Sequence, residues 1–175
     1  IKVYKNGRVK EEQNYTNCIR NSNEGFKPGE KHGRWTYWYE NGQQKSQKSY
    51  TNDKLNDAWA RWYENGQKKE DGSYNIGSFG EKRDISYKTG KWTYWHENGQ
   101  KWREESHSSS TAYLEKGEGI EVGTWVKWHE NGQKAREGPY KDGKKDGNWK
   151  EWSRNGEIVG EGNFSNGTGK WTIWN

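Results

Sequence analysis

The large apolar side chains of this chain are few, and they recur in a fixed order around Asn-Gly pairs. One Trp lies six residues before the Asn, a second lies three before it, and Tyr, His or Phe lies nine after it. The pairs preceded by both Trp residues are Asn41-Gly42, Asn65-Gly66, Asn98-Gly99, Asn131-Gly132 and Asn155-Gly156. Agreement at so many positions identifies a tandem repeat.

The copies differ in length at one place. The basic period is 24 residues, as from Asn41 to Asn65, whereas three other spacings are 33 to 35 residues. The additional residues follow the aromatic position as insert 1 (18–30), insert 2 (76–89) and insert 3 (108–121). We expect one repeat array over residues 1–175. Its units are a partial copy at 1–32, copies at about 33–56, 57–89, 90–122, 123–146 and 147–168, and a partial copy at 169–175.

Asn-Gly between two extended runs predicts a β-hairpin with a type I′ turn. That turn would place Glu40 opposite Gln43, Trp38 opposite Lys45 and Trp35 opposite Lys48. In later copies it would place Trp95 opposite Trp102, and glycines opposite indoles in the pairs Trp125–Gly138 and Trp149–Gly162. A second turn is predicted at Asn52-Asp53, Asp142-Gly143 and Asn166-Gly167. The sequence thus predicts an all-β protein, an elongated antiparallel meander of tandem β-hairpins with roughly a dozen strands.

The two Trp residues of a copy are three positions apart, which puts them on opposite faces of a strand. The first tryptophan row, which we expect to be structural, is Trp35, Trp59, Trp92, Trp125 and Trp149. The second tryptophan row is Trp38, Trp62, Trp95, Trp128 and Trp152. One row suffices to explain folding, so the second is the predicted partner-binding surface.

The pattern Gly-x-Trp-x-x-Trp-x-Glu-Asn-Gly-Gln, followed by Glu-Gly-x-Tyr-x-Asp-Gly-Lys-x-x-Gly-x-Trp, is clearest from Gly123 to Trp149. It resembles the bacterial variant of the MORN repeat, and the resemblance spans essentially the whole chain. It implies stacked β-hairpins without a catalytic centre, a scaffolding role toward proteins or membrane lipids, and in some bacterial members an antitoxin label. The chain departs from the pattern at Asp57, where Gly is expected, at His107, where Tyr is expected, and in the inserts.

Composition changes this picture little. The mean hydropathy of -1.61 is typical of disorder, but 13 Trp and 11 Tyr supply large burial on folding. The net charge of +5 is spread along the chain, so no nucleic-acid footprint is predicted, and no apolar stretch is long enough to span a membrane. The single Cys18 excludes an internal disulfide. The start at Ile1 is consistent with either a removed leader or a fragment, and together with the low aliphatic content it favours a secreted or cell-envelope protein over the cytoplasmic alternative.

Candidate chemistry is sparse. His96 and His129 occupy a slot that holds Tyr in other copies, whereas His32 and His107 have no obvious partners. A row of turn carboxylates is interpreted as a solvated flank rather than a Ca²⁺ site, and consists of Glu40, Glu64, Glu97 and Glu130. We find no nucleophile elbow, phosphate loop or zinc signature. The sequence predicts no catalytic residues, metal or cofactor, and no enzyme activity.

Three functions remain open at this stage. The leading hypothesis is a protein-interaction scaffold, antitoxin-like in one version, that uses the second tryptophan row and the inserts. The second is binding of carbohydrate or cell-envelope polysaccharide through exposed Trp and Tyr rings. The third is head-to-tail self-assembly through unpaired strands at the two ends of the array.

Overall fold

The computed structural model of the chain describes residues 1–14, 30–79, 82–109 and 119–174. In these ranges the chain forms fourteen strands and no helix. The strands are β1 (Lys2–Val3), β2 (Val9–Asn14), β3 (Gly33–Trp38), β4 (Gln44–Thr51), β5 (Lys54–Trp62), β6 (Lys68–Phe79), β7 (Lys82–Trp95), β8 (Lys101–His107), β9 (Gly123–Trp128), β10 (Lys134–Lys141), β11 (Lys144–Lys145), β12 (Gly147–Trp152), β13 (Ile158–Ser165) and β14 (Thr168–Ile173).

All of these strands belong to one antiparallel sheet in which they follow chain order, with the two-residue β11 paired only to β10. This confirms the predicted meander of tandem hairpins. The Asn-Gly turns lie along one edge of the sheet. The second turns lie along the opposite edge, because each strand reverses the chain direction.

The predicted type I′ geometry of the Asn-Gly turns is wrong. In the first complete copy the Gly42 N–H donates to the Tyr39 carbonyl at 3.0 Å, and the Tyr39 N–H donates to the Gln43 carbonyl at 2.8 Å. Gly42 has a φ of 92°, but Asn41 is not among the described residues with positive φ. The loop therefore has three residues, a type I turn closed by a left-handed glycine. The type I′ signature belongs to the opposite edge, where Asn52 and Asp53 have φ values of 48° and 64°.

The three-residue loop shifts the register beside the turn, and a bulge then restores it. Trp38 faces Gln44 rather than Lys45, so the predicted pair is wrong, whereas the predicted pairing of Trp35 with Lys48 is confirmed. The same bulge separates Trp95 from Trp102: Trp95 faces Lys101, and the Trp102 ring packs edge-on against Tyr94 at 5.9 Å. The cross-strand Trp pair that we predicted does not form.

The first tryptophan row holds the hairpins together on one face of the sheet, here called the first face. Three of its indoles are buried, with exposures of 6% for Trp35 and 1% for both Trp92 and Trp149. The other two, Trp59 and Trp125, are half-buried. The tyrosines nine residues after the Asn pack edge-on between these indoles. For example, Tyr74 lies 5.5 Å from Trp59 and 5.1 Å from Trp92. Aromatic groups of this kind along the first face, here called the aromatic stack, replace an aliphatic core.

Glycines make room for the stack. Gly138 faces Trp125 and Gly162 faces Trp149, as predicted. The ring lying against the bare backbone, however, comes from the following hairpin, because a Cβ on Gly138 would meet Trp149 at 2.2 Å. Gly72 is covered in the same way by Trp92. The glycine therefore sets the distance between neighbouring hairpins.

The departure at Asp57 leaves the backbone unchanged. Asp57 has a φ of 64°, close to the 65° of Gly90 and the 70° of Gly123 at the equivalent positions. Asp is one of the few residues that tolerates the left-handed region. The conformation of the repeat is thus retained where its sequence pattern is not.

Candidate functional site

The second tryptophan row lies on the opposite face, here called the second face. Its indoles stand at the ends of β3, β5, β7, β9 and β12, and all five are half-buried. Successive members are two strands apart, or roughly 10 Å. Because the two Trp positions within each strand are three residues apart, with two residues between them, the structure keeps the two rows on different faces, as the sequence predicted.

A lysine from the preceding hairpin covers three of these indoles. The ammonium groups of Lys68, Lys101 and Lys134 lie 5.3, 5.7 and 5.9 Å from the ring centroids of Trp95, Trp128 and Trp152, respectively. Each lysine also forms an ion pair three residues along its own strand, with acceptors Asp71, Glu104 and Glu137. The bulge brings residues three apart onto one face. The second face therefore combines partly exposed indoles with paired charges.

The Asn-Gly edge is occupied by a structural hydrogen-bond ladder. The Asn98 side chain accepts from the Gln100 N–H and donates to the Glu130 carbonyl of the next turn, both at 2.9 Å. Asn41, Asn65 and Asn131 bridge to the following turns in the same way. A Cβ on Gly66, Gly99, Gly132 or Gly156 would meet the Gln side chain of the preceding turn at 2.6–2.9 Å. The Asn-Gly-Gln motif thus joins successive turns, a role that the hairpin analysis missed.

His96 and His129 belong to this structural ladder. Their Nε2 atoms lie 3.4 and 2.9 Å from the carbonyl oxygens of Trp128 and Trp152. The hydroxyls of Tyr39 and Tyr63 donate to the equivalent carbonyls in other copies. The histidines therefore replace tyrosine as the donor that joins one hairpin to the next.

The other sequence candidates are dispersed. The turn carboxylates Glu40, Glu64, Glu97 and Glu130 are exposed, and the described residues contain no cluster of three or more metal-ligating side chains. The His32 carbonyl accepts a hydrogen bond from the indole of Trp35 at 3.2 Å. Cys18 and most of insert 1 lie outside the described residues.

Inserts 2 and 3 are brought together at the second-turn edge. Insert 2 is not a separate loop but an extension of β6 and β7 into one long hairpin. Insert 3 returns beside it: the Tyr87 hydroxyl donates to the Ser109 carbonyl at 3.2 Å, and a Cβ on Gly119 would meet the Lys88 carbonyl at 1.9 Å. Only glycine fits there, so the end of insert 3 packs directly against the backbone of insert 2.

A buried polar cluster on the first face anchors this contact, and the sequence analysis missed it. Glu105 is 4% exposed, and its Oε1 atom lies 2.7 Å from the Tyr94 hydroxyl and 3.1 Å from His107 Nε2. His107 Nδ1 lies 2.8 Å from the Gly119 carbonyl in insert 3. Both oxygens are acceptors, so only the doubly protonated imidazole donates to both. Arg103 Nε and Lys88 Nζ lie 3.1 and 3.6 Å from the same carboxylate.

Donors and cations surround the Glu105 carboxylate. Burial alone would raise the pKa of Glu105, but the hydrogen bonds from His107 and Tyr94 and the charges of Arg103 and Lys88 lower it to about 2. Burial and hydrogen bonding to Glu105 raise the pKa of Tyr94. At Glu121, burial and the charge of Glu105 raise the pKa. The side chains contact one another rather than an open cavity, which is typical of a structural network. His107, which replaces the usual Tyr, was the one feature of the sequence that pointed to this cluster.

Comparison with known proteins is consistent with this geometry. A family model described as the MORN repeat variant matches residues 31–52, 88–108, 121–142 and 145–166, four of the five complete copies. The copy with Asp57 is not matched. A search of curated proteins gave no match. The described residues contain no helix that could cross a membrane. MORN repeats commonly act as scaffolds for interaction with proteins or membranes, and the family is generally non-catalytic. The chain belongs to the MORN repeat variant family.

Proposed function

We propose that this chain is a protein-interaction scaffold whose partner binds across the second tryptophan row. The observation that carries the proposal is a line of five half-buried indoles on the face that the aromatic stack does not use. Tryptophan is enriched among the residues that dominate binding energy at protein interfaces. A row repeating at roughly 10 Å presents several such anchors to one extended partner surface.

The charge pattern of the second face supports a protein partner over a polysaccharide. The lysines above Trp95, Trp128 and Trp152 occupy a ring face on which a sugar would stack. Their ion pairs with Asp71, Glu104 and Glu137 provide a polar rim of both signs beside the indoles. Aromatic anchors surrounded by a polar rim are the usual anatomy of a protein interface.

The packed ends of inserts 2 and 3 supply a second contact region in the proposal. Gly119 and Tyr87 are buried where the two segments meet, which fixes the described ends of insert 3 at the second-turn edge. Insertions that collect on one side of a repeat array commonly contribute to binding. The partner would then contact both the second tryptophan row and the second-turn edge.

The proposal is tested by affinity capture from the native host with the whole chain as bait. The test variant is the double substitution Trp62→Ala and Trp128→Ala, and the matched control is Ile173→Ala, an apolar residue that is 70% exposed on the first face. We expect the partner to be lost with the test variant and kept with the control. A further variant replaces residues 110–118 with Gly-Ser-Gly to measure the contribution of insert 3.

Folding of each variant is checked by far-ultraviolet circular dichroism and urea unfolding. Recovery of the same proteins by folded variants and wild type would overturn the proposal. Tryptophan fluorescence titration with envelope polysaccharides tests the alternative ligand class, and saturable binding that depends on Trp62 and Trp128 would replace the proposal by carbohydrate binding. Recovery of a toxin as the partner would specify the antitoxin version.

A further inference from the structure

A cavity of about 180 Å³ opens on the first face, beside the Asn-Gly edge, where β2, β3 and β4 run side by side. Three lysines contribute to its wall together with two tyrosines, a tryptophan and a serine. These residues are Tyr4, Lys10, Tyr37, Trp38, Lys45, Ser46 and Lys48. Trp38 belongs to the second tryptophan row, so the cavity adjoins that row at the end of β3, whereas Trp62 and Trp128 do not line it.

The cavity is positively charged, and the nearest carboxylates are engaged elsewhere. Within the described part of the chain, Lys10, Lys45 and Lys48 form no ion pair. Glu11, which faces Tyr37 across the strands, is paired with Lys2 at 3.2 Å. Burial, and then the charges of Arg61, Lys31 and Lys45, lower the pKa of Lys48. An anion in the cavity would relieve this repulsion.

The walls hold the ammonium groups in place without an anion. Lys10 Nζ lies 5.4 Å from the centre of the Tyr4 ring, and Lys48 Nζ lies 5.5 Å from that of Tyr37. The Tyr4 hydroxyl donates to the Trp38 carbonyl at 2.9 Å, which fixes its ring. Cation–π contacts of this kind orient a lysine while leaving its N–H donors free for a ligand.

The next hairpin provides an internal comparison. Lys69 lies 5.1 Å above Tyr63, just as Lys45 lies 5.2 Å above Tyr39. In that copy Arg61 and Glu70 stand where Tyr37 and Ser46 stand in the first, and they form an ion pair at 3.1 Å. The charge is neutralised there, whereas at β2–β4 it is not.

We propose that this cavity binds the phosphate group of a small, soluble phosphate monoester. Three lysines line the cavity as point charges, which suits a compact dianion, whereas a planar carboxylate is better matched by the fork of arginine. The volume is below the usual range for a drug-sized ligand, so the site takes the phosphate and the group bonded to it. The tyrosine rings suit a flat substituent on the phosphate.

The site is tested by isothermal titration calorimetry of the whole chain with phenyl phosphate, inorganic phosphate and benzoate at low ionic strength. The variants Lys10→Ala and Lys45→Ala each remove one lining ammonium group, and Lys69→Ala is the matched control. We expect each lining variant to weaken binding of phenyl phosphate by about tenfold, because one charged donor is lost. The control is expected to bind like the wild type, and benzoate more weakly than phenyl phosphate.

Binding of inorganic phosphate with the same dependence on Lys10 and Lys45 also supports the proposal. Several results would overturn it: no heat with either phosphate compound, an equal loss in Lys69→Ala, or binding of benzoate as tight as that of phenyl phosphate. Sedimentation with vesicles that contain phosphatidate distinguishes a lipid source. Binding to those vesicles without binding to soluble phosphates would also refute the soluble ligand.

Discussion

At Gly138 the absence of a side chain sets the distance between two hairpins. Trp125 faces this glycine from one side, while the ring of Trp149 lies against its backbone from the other. Trp149 is 1% exposed as a result. The requirement for glycine at this repeat position differs between copies. In the first complete copy the equivalent residue is Lys48, whose ammonium group lies 4.7 Å above the ring of Trp59. A long flexible side chain is therefore accepted at this position where the indole of the next hairpin does not lie against the backbone.

We predict that Gly138→Ala lowers the free energy of unfolding by about 1–3 kcal/mol through overpacking. Gly138 is not among the positive-φ glycines, so backbone propensity by itself would favour alanine. Urea unfolding followed by tryptophan fluorescence gives the difference. In the Trp149→Leu background the cost of the same substitution should fall, and an unchanged cost would show that the indole is not its cause.

Glu105 makes stability depend on pH. Its pKa is lowered from 4.5 to about 2 in the folded chain. The folded state therefore gains stability from the ionised carboxylate above pH 4.5, and this gain is lost as the pH falls from 4.5 to about 2. The shift corresponds to on the order of 3 kcal/mol.

We predict that Glu105→Gln removes this part of the acid sensitivity. The measurement is the free energy of unfolding of wild type and variant at pH 7, 4.5 and 3, where the difference between them should shrink as the pH falls. Glu161→Gln, at an exposed position, is the matched control. A constant difference between wild type and Glu105→Gln over this range would contradict the assignment.

At the scale of the element, hairpins are joined by their turns as well as by strand pairing. The ladder between β8 and β9 pairs Arg103 with Lys127 and Glu104 with Val126, fewer pairs than within the hairpin of β7 and β8, and a separate bridge joins His107 to Glu121. The Asn98 side chain adds a hydrogen bond between the turns at this junction. The turn ladder therefore adds to the strand pairing between the two hairpins.

We predict that Asn98→Ala lowers the free energy of unfolding by about 1 kcal/mol, because it removes the hydrogen bonds to the Gln100 N–H and the Glu130 carbonyl at an exposed position where water replaces the lost partner. Asn155→Ala is the matched control, since the turn after Trp152 uses the Ser153 hydroxyl to accept from the Asn155 and Glu157 N–H groups. Chemical denaturation of both variants provides the comparison. Equal destabilisation would mean that bridging between turns contributes little.

At the scale of the whole molecule, each hairpin contacts chiefly its neighbours, as in other repeat arrays. Burial is concentrated around β7 and β8, where Tyr87, Trp92, Tyr94 and Glu105 are all buried. In β14 the side chains are mostly exposed, with Ile173 at 70% exposure. Local stability should follow this distribution rather than be uniform.

We predict that the amides of β7 and β8 exchange most slowly with solvent and those of β14 fastest. Hydrogen–deuterium exchange with mass spectrometry of the whole chain measures this gradient. Trp92→Leu should accelerate exchange in β6 to β8 more than in β12 and β13, because coupling passes through neighbouring hairpins. Uniform protection along the described strands would instead indicate a single cooperative unit.

The sequence by itself determined the repeat, the hairpins, the all-β meander and the two tryptophan rows, because turn residues and the alternation of strand faces are local properties. The tertiary structure decided what depends on neighbouring copies. Because of the type I turns and their bulges, Trp95 does not face Trp102. The rings that cover Gly72 and Gly138 come from the next hairpin. The tertiary structure also placed Glu105 against His107 and the end of insert 3, since such contacts follow from packing between hairpins rather than from spacing within one.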